Sequence, residues 1–248
     1  MEFGIDWLSY GEFFVGRYAA IATRGIIILG GMFAVFWLLK RPWMDKYRVP
    51  TVGRAQAKPK REALFTFTTY IVYAVSATTV AILGKEFGIS KMYTDPAQYG
   101  MAYTVLSFFI FLFWVDTSFY WSHYVMHKSK MVYKVHATHH QFVNVTPWCA
   151  YAFHTGEAII NAGAFFLLLM LVPWHPLTMF AFVLFSIFYN GLIHLGYDLY
   201  PKSWRTNPVM KWWNTTTHHI YHHQKSNCNY GFIFTFWDKL MKTERLPQ

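Results

Sequence analysis

The sequence predicts an all-α, multi-span membrane protein. It reads as four to five membrane helices, two of them joined by a proline turn, with a cytoplasmic helical cap rich in histidine. Three observations carry this expectation. Apolar residues make up 54% of the 248 and charged residues only 14%, against roughly 25% charged in an ordinary soluble domain. Long apolar stretches recur along the chain. Nine of the twelve histidines fall in two short windows, one from His123 to His140 and one from His218 to His223. So few charges cannot screen this much apolar surface from water. The composition excludes a disordered chain, a coiled coil and a small disulfide-stapled secreted domain.

The elements follow in order. The N-terminus carries acids and aromatics rather than a basic leader, and it suits a short interfacial helix with Trp7, Phe13 and Phe14 toward lipid. The stretch 18–39 is interrupted by Arg24. Its clean part, 25–39, would cover only about 22 Å as a helix, so Arg24 is expected near a surface or snorkelling. Residues 63–84 carry no charge, and 99–121 carry only Asp116. The stretches 158–172 and 177–195 are split by Pro173–Trp174–His175–Pro176, a turn between paired helices. The first of that pair is short enough to be tilted or partly embedded.

The net charge is +10, and the basic residues sit in particular loops. Eight Lys/Arg fall in 40–61 (Lys40, Arg41, Lys46, Arg48, Arg54, Lys58, Lys60 and Arg61). Only Lys85 and Lys91 fall in 85–98, and seven follow Gly196. This partition argues against a nucleic-acid surface. The positive-inside rule places 40–61 and the C-terminal segment in the cytoplasm and 85–98 outside. The two cysteines, Cys149 and Cys228, form no spacing motif, which suggests a reducing compartment.

The histidines carry the chemistry. His123 and His127 form H-x-x-x-H, and His136, His139 and His140 form H-x-x-H-H. His219, His222 and His223 repeat H-x-x-H-H, with His218 just before. On a helix, residues three or four apart share a face, so each run aims two or three imidazoles at one point, as metal chelation needs. Eight imidazoles exceed the needs of one tetrahedral ion and suit two. A single histidine is usually a surface or packed residue, but three such runs in one chain are not explained that way. His194, at the inner end of the last span, is a further ligand candidate, with Asn190 one turn before it. Supporting roles are open to Asp116, two turns before His123, and to His154, Glu157, Asn190 and His218, any of which could orient a ligand ring. His175 sits in the outer turn, away from the others, and Cys149 has no assigned role.

These residues resemble a known family. The segments around His123–His127, His136–His140 and His219–His223 match the three histidine boxes of the sterol desaturase/fatty acid hydroxylase superfamily. Flanking stretches at 146–154, 194–198 and 229–243 are similar to its sterol C-5 desaturase branch. The likeness covers 63–243, so the chain is expected to be one membrane-embedded domain (1–248) with an added span and basic loop (1–62). The resemblance implies two iron ions held by His123, His127, His136, His139, His140, His219, His222 and His223, with His194 a further ligand. Zinc could substitute in a purified sample. It implies O2 as co-substrate, a bilayer lipid as substrate, and a separate electron donor of cytochrome b5-like or ferredoxin-like type. The expected activity is hydroxylation or desaturation of an unactivated lipid C–H position, with the metal site on the cytoplasmic side of a bacterial inner membrane or the ER membrane. Two rivals use the same histidines: a membrane metal-binding or transport protein, and a zinc hydrolase. Transport would need ligands at mid-membrane depth, whereas these cluster at helix ends.

Overall fold

The computed structural model describes residues 7–50 and 56–247. The first six residues, Arg54 of the basic loop and the final Gln248 lie outside that set. Four helices are long and apolar enough to cross a membrane: α1 (Trp7–Leu38), α2 (Pro59–Phe87), α3 (Gly100–Lys128) and α6 (Pro176–Ile193). Between them in sequence come α4 (Lys130–His140) and the shorter apolar α5 (Thr155–Leu171). The C-terminal part adds α7 (Thr216–Lys225) and α8 (Phe236–Leu240). Large apolar side chains such as Val75, Phe109, Phe113 and Leu167 remain exposed on the helix surfaces, as lipid-facing residues do.

The first helix differs from the expectation. The interfacial helix and the interrupted span are one continuous helix of 32 residues, with two π-helical turns at Ile26–Gly30 and Ala34–Leu38. Arg24 does not break it, because its guanidinium lies over the Phe180 ring of α6, 5.5 Å from the centroid. The apolar core of the helix is thereby longer than the 15 clean residues alone. Gly25 lets α1 pack directly on α2, since a Cβ there would collide with the Tyr70 side chain. Gly191 does the same for α6, where a Cβ would stand 2.6 Å from Leu29 and 2.8 Å from the Met32 sulfur.

The two ends of the bundle are distinct. At one end the 85–98 loop meets the proline turn: Tyr93 N donates to Trp174 O (3.0 Å) and Trp174 N to Lys91 O (3.1 Å). His175 belongs to this end, donating to Thr94 O and capping α6 through the N–H of Leu177. At the other end the first basic loop packs beside the histidines. Val49 N donates to Gly196 O (3.0 Å), and Gln224 Nε2 donates to Pro50 O (2.8 Å). The grouping of loops that the charge count predicts is therefore present in the fold.

Candidate metal centre

The histidines of α3, α4, α7 and the end of α6 meet at one end of the bundle. α3 stops at Lys128, and a single extended residue, Ser129 (φ −99°, ψ 113°), turns the chain into α4. Ser129 then caps α4 by accepting from Val132 N. This one-residue corner folds His136 and His140 back onto His123 and His127. On the other side, α7 begins with a capping box formed by Thr215 and His218. The Asp198 carboxylate accepts the N–H of Thr217 and the hydroxyls of Thr215 and Thr217, a stabilising charge at a helix N-terminus. His219, His222 and His223 are thereby aimed at α4.

The rings form two groups. His123, His127, His136, His140 and His222 each offer a nitrogen within 4.8 Å of the others. In it, Nε2–Nε2 separations are 3.0 Å for His123–His136, 3.1 Å for His127–His140 and 2.9 Å for His140–His222. The second group joins His139, His194 and His223, with the buried Cys149 beside them. His219 completes it, its Nε2 2.8 Å from that of His194 and 3.2 Å from that of His223.

Tautomers show what these contacts are. His123 Nδ1 donates to the carbonyl of Tyr230 (2.9 Å), and His136 Nδ1 faces the Glu157 carboxylate (2.7 Å). A neutral imidazole that donates through Nδ1 has a bare lone pair on Nε2. With Glu157 ionised, as beside a bound cation, both rings present bare Nε2 atoms, and at 3.0 Å these cannot hydrogen-bond to each other. The separation instead fits two ligands of one ion, whose nitrogens at metal bonds of about 2.0–2.1 Å would stand roughly 3.0–3.4 Å apart. His222 and His194 are set the same way, by the carbonyls of Cys228 (2.7 Å) and Asn190 (2.8 Å). The donor set therefore fits two metal ions, held by five and four imidazoles.

Electrostatics agree. Burial, and then repulsion from neighbouring rings, holds His136, His140, His219 and His223 well below the usual imidazole range. Burial brings His222 down to about 4, against the opposing pull of the Cys228 carbonyl. The rings are neutral at physiological pH, the form that binds metal.

The remaining candidates separate. Glu157 lies against His136 Nδ1 and not against His154. Asn190 orients His194 through its backbone carbonyl, while its side chain donates to Ala150 O (2.6 Å). Asp116 does not reach a histidine. Its Oδ1 accepts from Ile233 N (2.6 Å) and Phe234 N (3.0 Å), because the C-terminal loop, not a ring, covers that face of α3. His154 is exposed and caps α5 by accepting from Gly156 N. His218 faces Thr215 and Glu244, on the side of α7 away from the cluster, and stands outside both groups.

Sequence reasoning missed other participants. Asp238 accepts from Tyr230 N and Gly231 N, fixing the loop whose carbonyl holds His123. Backbone acceptors leave no signature in side-chain spacing. Cys149 is fully buried, with its sulfur 3.9 Å from His139 Nδ1. That nitrogen is on the far side of the ring from Nε2, which faces His194 at 3.4 Å. Burial pushes the Cys149 thiol up, so it stays protonated behind His139.

A cavity of about 990 Å³ runs through the bundle toward this centre. Its lining reaches from Trp174 and Pro176 to Phe119, Phe153 and Asn190. Phe119 packs on His123 (centroids 5.0 Å apart) and Phe153 on His139 (5.1 Å). One aromatic ring thus separates the cavity from each histidine group.

Fold and site together define a multi-helix membrane protein whose histidines are grouped as metal ligands are grouped. The chain belongs to the fatty acid hydroxylase family, which its residues 108–243 match. Among its relatives, the Delta(7)-sterol 5(6)-desaturase ERG3B of Gibberella zeae is 32% identical over 166 residues, 66% of this chain and 50% of that one. Human lathosterol oxidase is 28% identical over 177 residues, 70% and 58% of the two chains. The chain spans about half the length of the curated relatives it matches. No solved structure matches it.

Proposed function

We propose that the protein is an O2-dependent oxidoreductase that hydroxylates or desaturates an unactivated position on a membrane lipid. The observation that carries this reading is the close set of imidazole nitrogens, with His123 Nε2 3.0 Å from His136 Nε2, inside a five-imidazole group beside a four-imidazole one. One iron would be held by His123, His127, His136, His140 and His222, and the other by His139, His194, His219 and His223. When bound, such a pair supplies reductive activation of O2 next to a C–H bond. Imidazole alone also suits zinc. The family membership and the names of the relatives favour iron and a lipid substrate.

The chain's own residues perform the rest. Glu157 and the carbonyls of Tyr230, Cys228 and Asn190 would keep the Nε2 atoms of His136, His123, His222 and His194 free of their protons. Phe119 and Phe153 close the cavity against the rings and keep bulk water from the reacting carbon. The cavity holds the lipid's apolar body between α1, α2, α5 and α6. The basic loop 40–50 and the Lys/Arg residues after Gly196 lie at the histidine end and suit docking of a separate acidic electron donor of cytochrome b5-like or ferredoxin-like type. The positive-inside bias puts that end in the cytoplasm, at a bacterial inner membrane or the ER membrane.

The test has two parts. Elemental analysis of protein purified from iron-supplemented cells should find two irons per chain. Lipid mass spectrometry of cells with and without the protein should find a species that has gained one oxygen or lost two hydrogens. Turnover by the purified protein without O2 or any reductant would overturn the reading.

A further inference from the structure

The cavity is apolar along most of its length, yet two arginines of α1 line it, Arg17 and Arg24. A bilayer core of about 30 Å takes roughly 20 helical residues. Counted back from Leu38 at the histidine end, this puts Arg17 near the far edge of the hydrocarbon and Arg24 roughly 9 Å inside it. Arg24 is half-buried. Among the described residues, no carboxylate forms an ion pair with either arginine; their recorded partners are the rings of Phe13 and Phe180. A guanidinium at that depth without a counter-charge is costly, and such residues mark sites of function. Its charge cannot be relieved by losing a proton. Snorkelling and the Phe180 ring relieve part of that cost, and an anion brought by the ligand would relieve the rest.

The geometry also separates the two ends of such a ligand. Phe180, under Arg24, and Asn190, at the cavity floor, are ten residues apart on α6, roughly 15 Å along the axis. An acidic group at Arg24 therefore belongs to one end of a molecule whose other end meets Phe119 and Phe153.

We infer that the ligand of this cavity is an amphiphile with a single anionic group, held by Arg24 with help from Arg17, and with its apolar body directed at the histidine groups. This rests on the oxidoreductase reading only in calling the ligand a substrate; the binding itself does not depend on it. Guanidinium–oxyanion contacts are charge-assisted and can be bidentate, so the preference should be large.

Equilibrium binding of radiolabelled stearate, stearyl phosphate and stearyl alcohol to the full chain in detergent micelles tests this. At least one of the two anions should bind about tenfold or more tighter than the alcohol. Whichever anion wins identifies a carboxylate or a phosphate as the natural group. In Arg24→Gln that preference should vanish while the metal content stays at the wild-type value, and Arg24→Lys should keep part of it. Equal binding of all three ligands by the wild-type protein overturns the inference, even if Arg24→Gln fails to fold. Unchanged anion preference in a folded Arg24→Gln also overturns it. A protein that prefers the anion but holds no metal would defeat the oxidoreductase reading alone.

Discussion

The ligand rings that have an orienting neighbour differ in its kind: a carboxylate for His136 and main-chain carbonyls for His123, His194 and His222. His136 leans on a carboxylate at 2.7 Å, so Glu157→Ala should weaken metal binding about 10–100-fold. Glu157→Gln keeps an acceptor and should restore part of that loss in a metal titration. His218 provides the contrast. Its Nδ1 accepts from Thr215 in the α7 capping box, so His218→Ala should cost about 1 kcal/mol of stability and leave the metal count unchanged. Protonation acts on all the rings together. Unfolded imidazoles titrate near pH 6.5, whereas folded His222 titrates near 4. Between those values the unfolded chain binds more protons, so stability rises with pH across that window and is level above it. Thermal melts and metal retention from pH 4 to 8 should follow that curve. At this scale the sequence was most legible where the contact is local. The histidine runs and Glu157 stood out by spacing. The carbonyls of Tyr230 and Cys228, Asp238 and the backbone role of Asn190 did not, because they arrive from segments whose approach only the fold sets.

Elements turn those local patterns into a site. α3, α6 and the hairpin with α5 could be read from apolar length and the proline turn. The first helix could not, because Arg24 looked like an interruption until Phe180 and the cavity gave its side chain a place. The contact of α1 with α6 is tight at Gly191, only three residues before His194. Gly191→Val would push α6 away from Leu29 and Met32. The expected cost is about 1–3 kcal/mol, together with preferential loss of one of the two metals, since His194 serves only the four-imidazole group. Thermal unfolding and metal stoichiometry measured on the same preparation would check both. Loss of both metals at full stability would refute the link.

Across the whole molecule, the division of charge between loops anticipated which segments share an end. The histidine runs and His194 pointed to the nine imidazoles that gather there from α3, α4, the end of α6 and α7, but their division into five and four came only with the fold. Their facing lone pairs repel when nothing lies between them, and a bound cation reverses that. Stripping metal with a chelator should therefore lower the melting temperature by several degrees, and re-addition should restore it. A melt unaffected by chelator, in protein verified to have lost its metal, would show that the cap holds together without it.

The loop from Cys228 to Tyr230 has a consequence for how the protein can vary. Both ring-orienting oxygens it supplies belong to the main chain. Exchanging the side chains at those two positions removes no acceptor, but Tyr230 is buried against the His123, His127 and His222 rings, so a smaller residue there would loosen the rings without untying them. Within this loop, a change in the path of the main chain would disturb both rings at once.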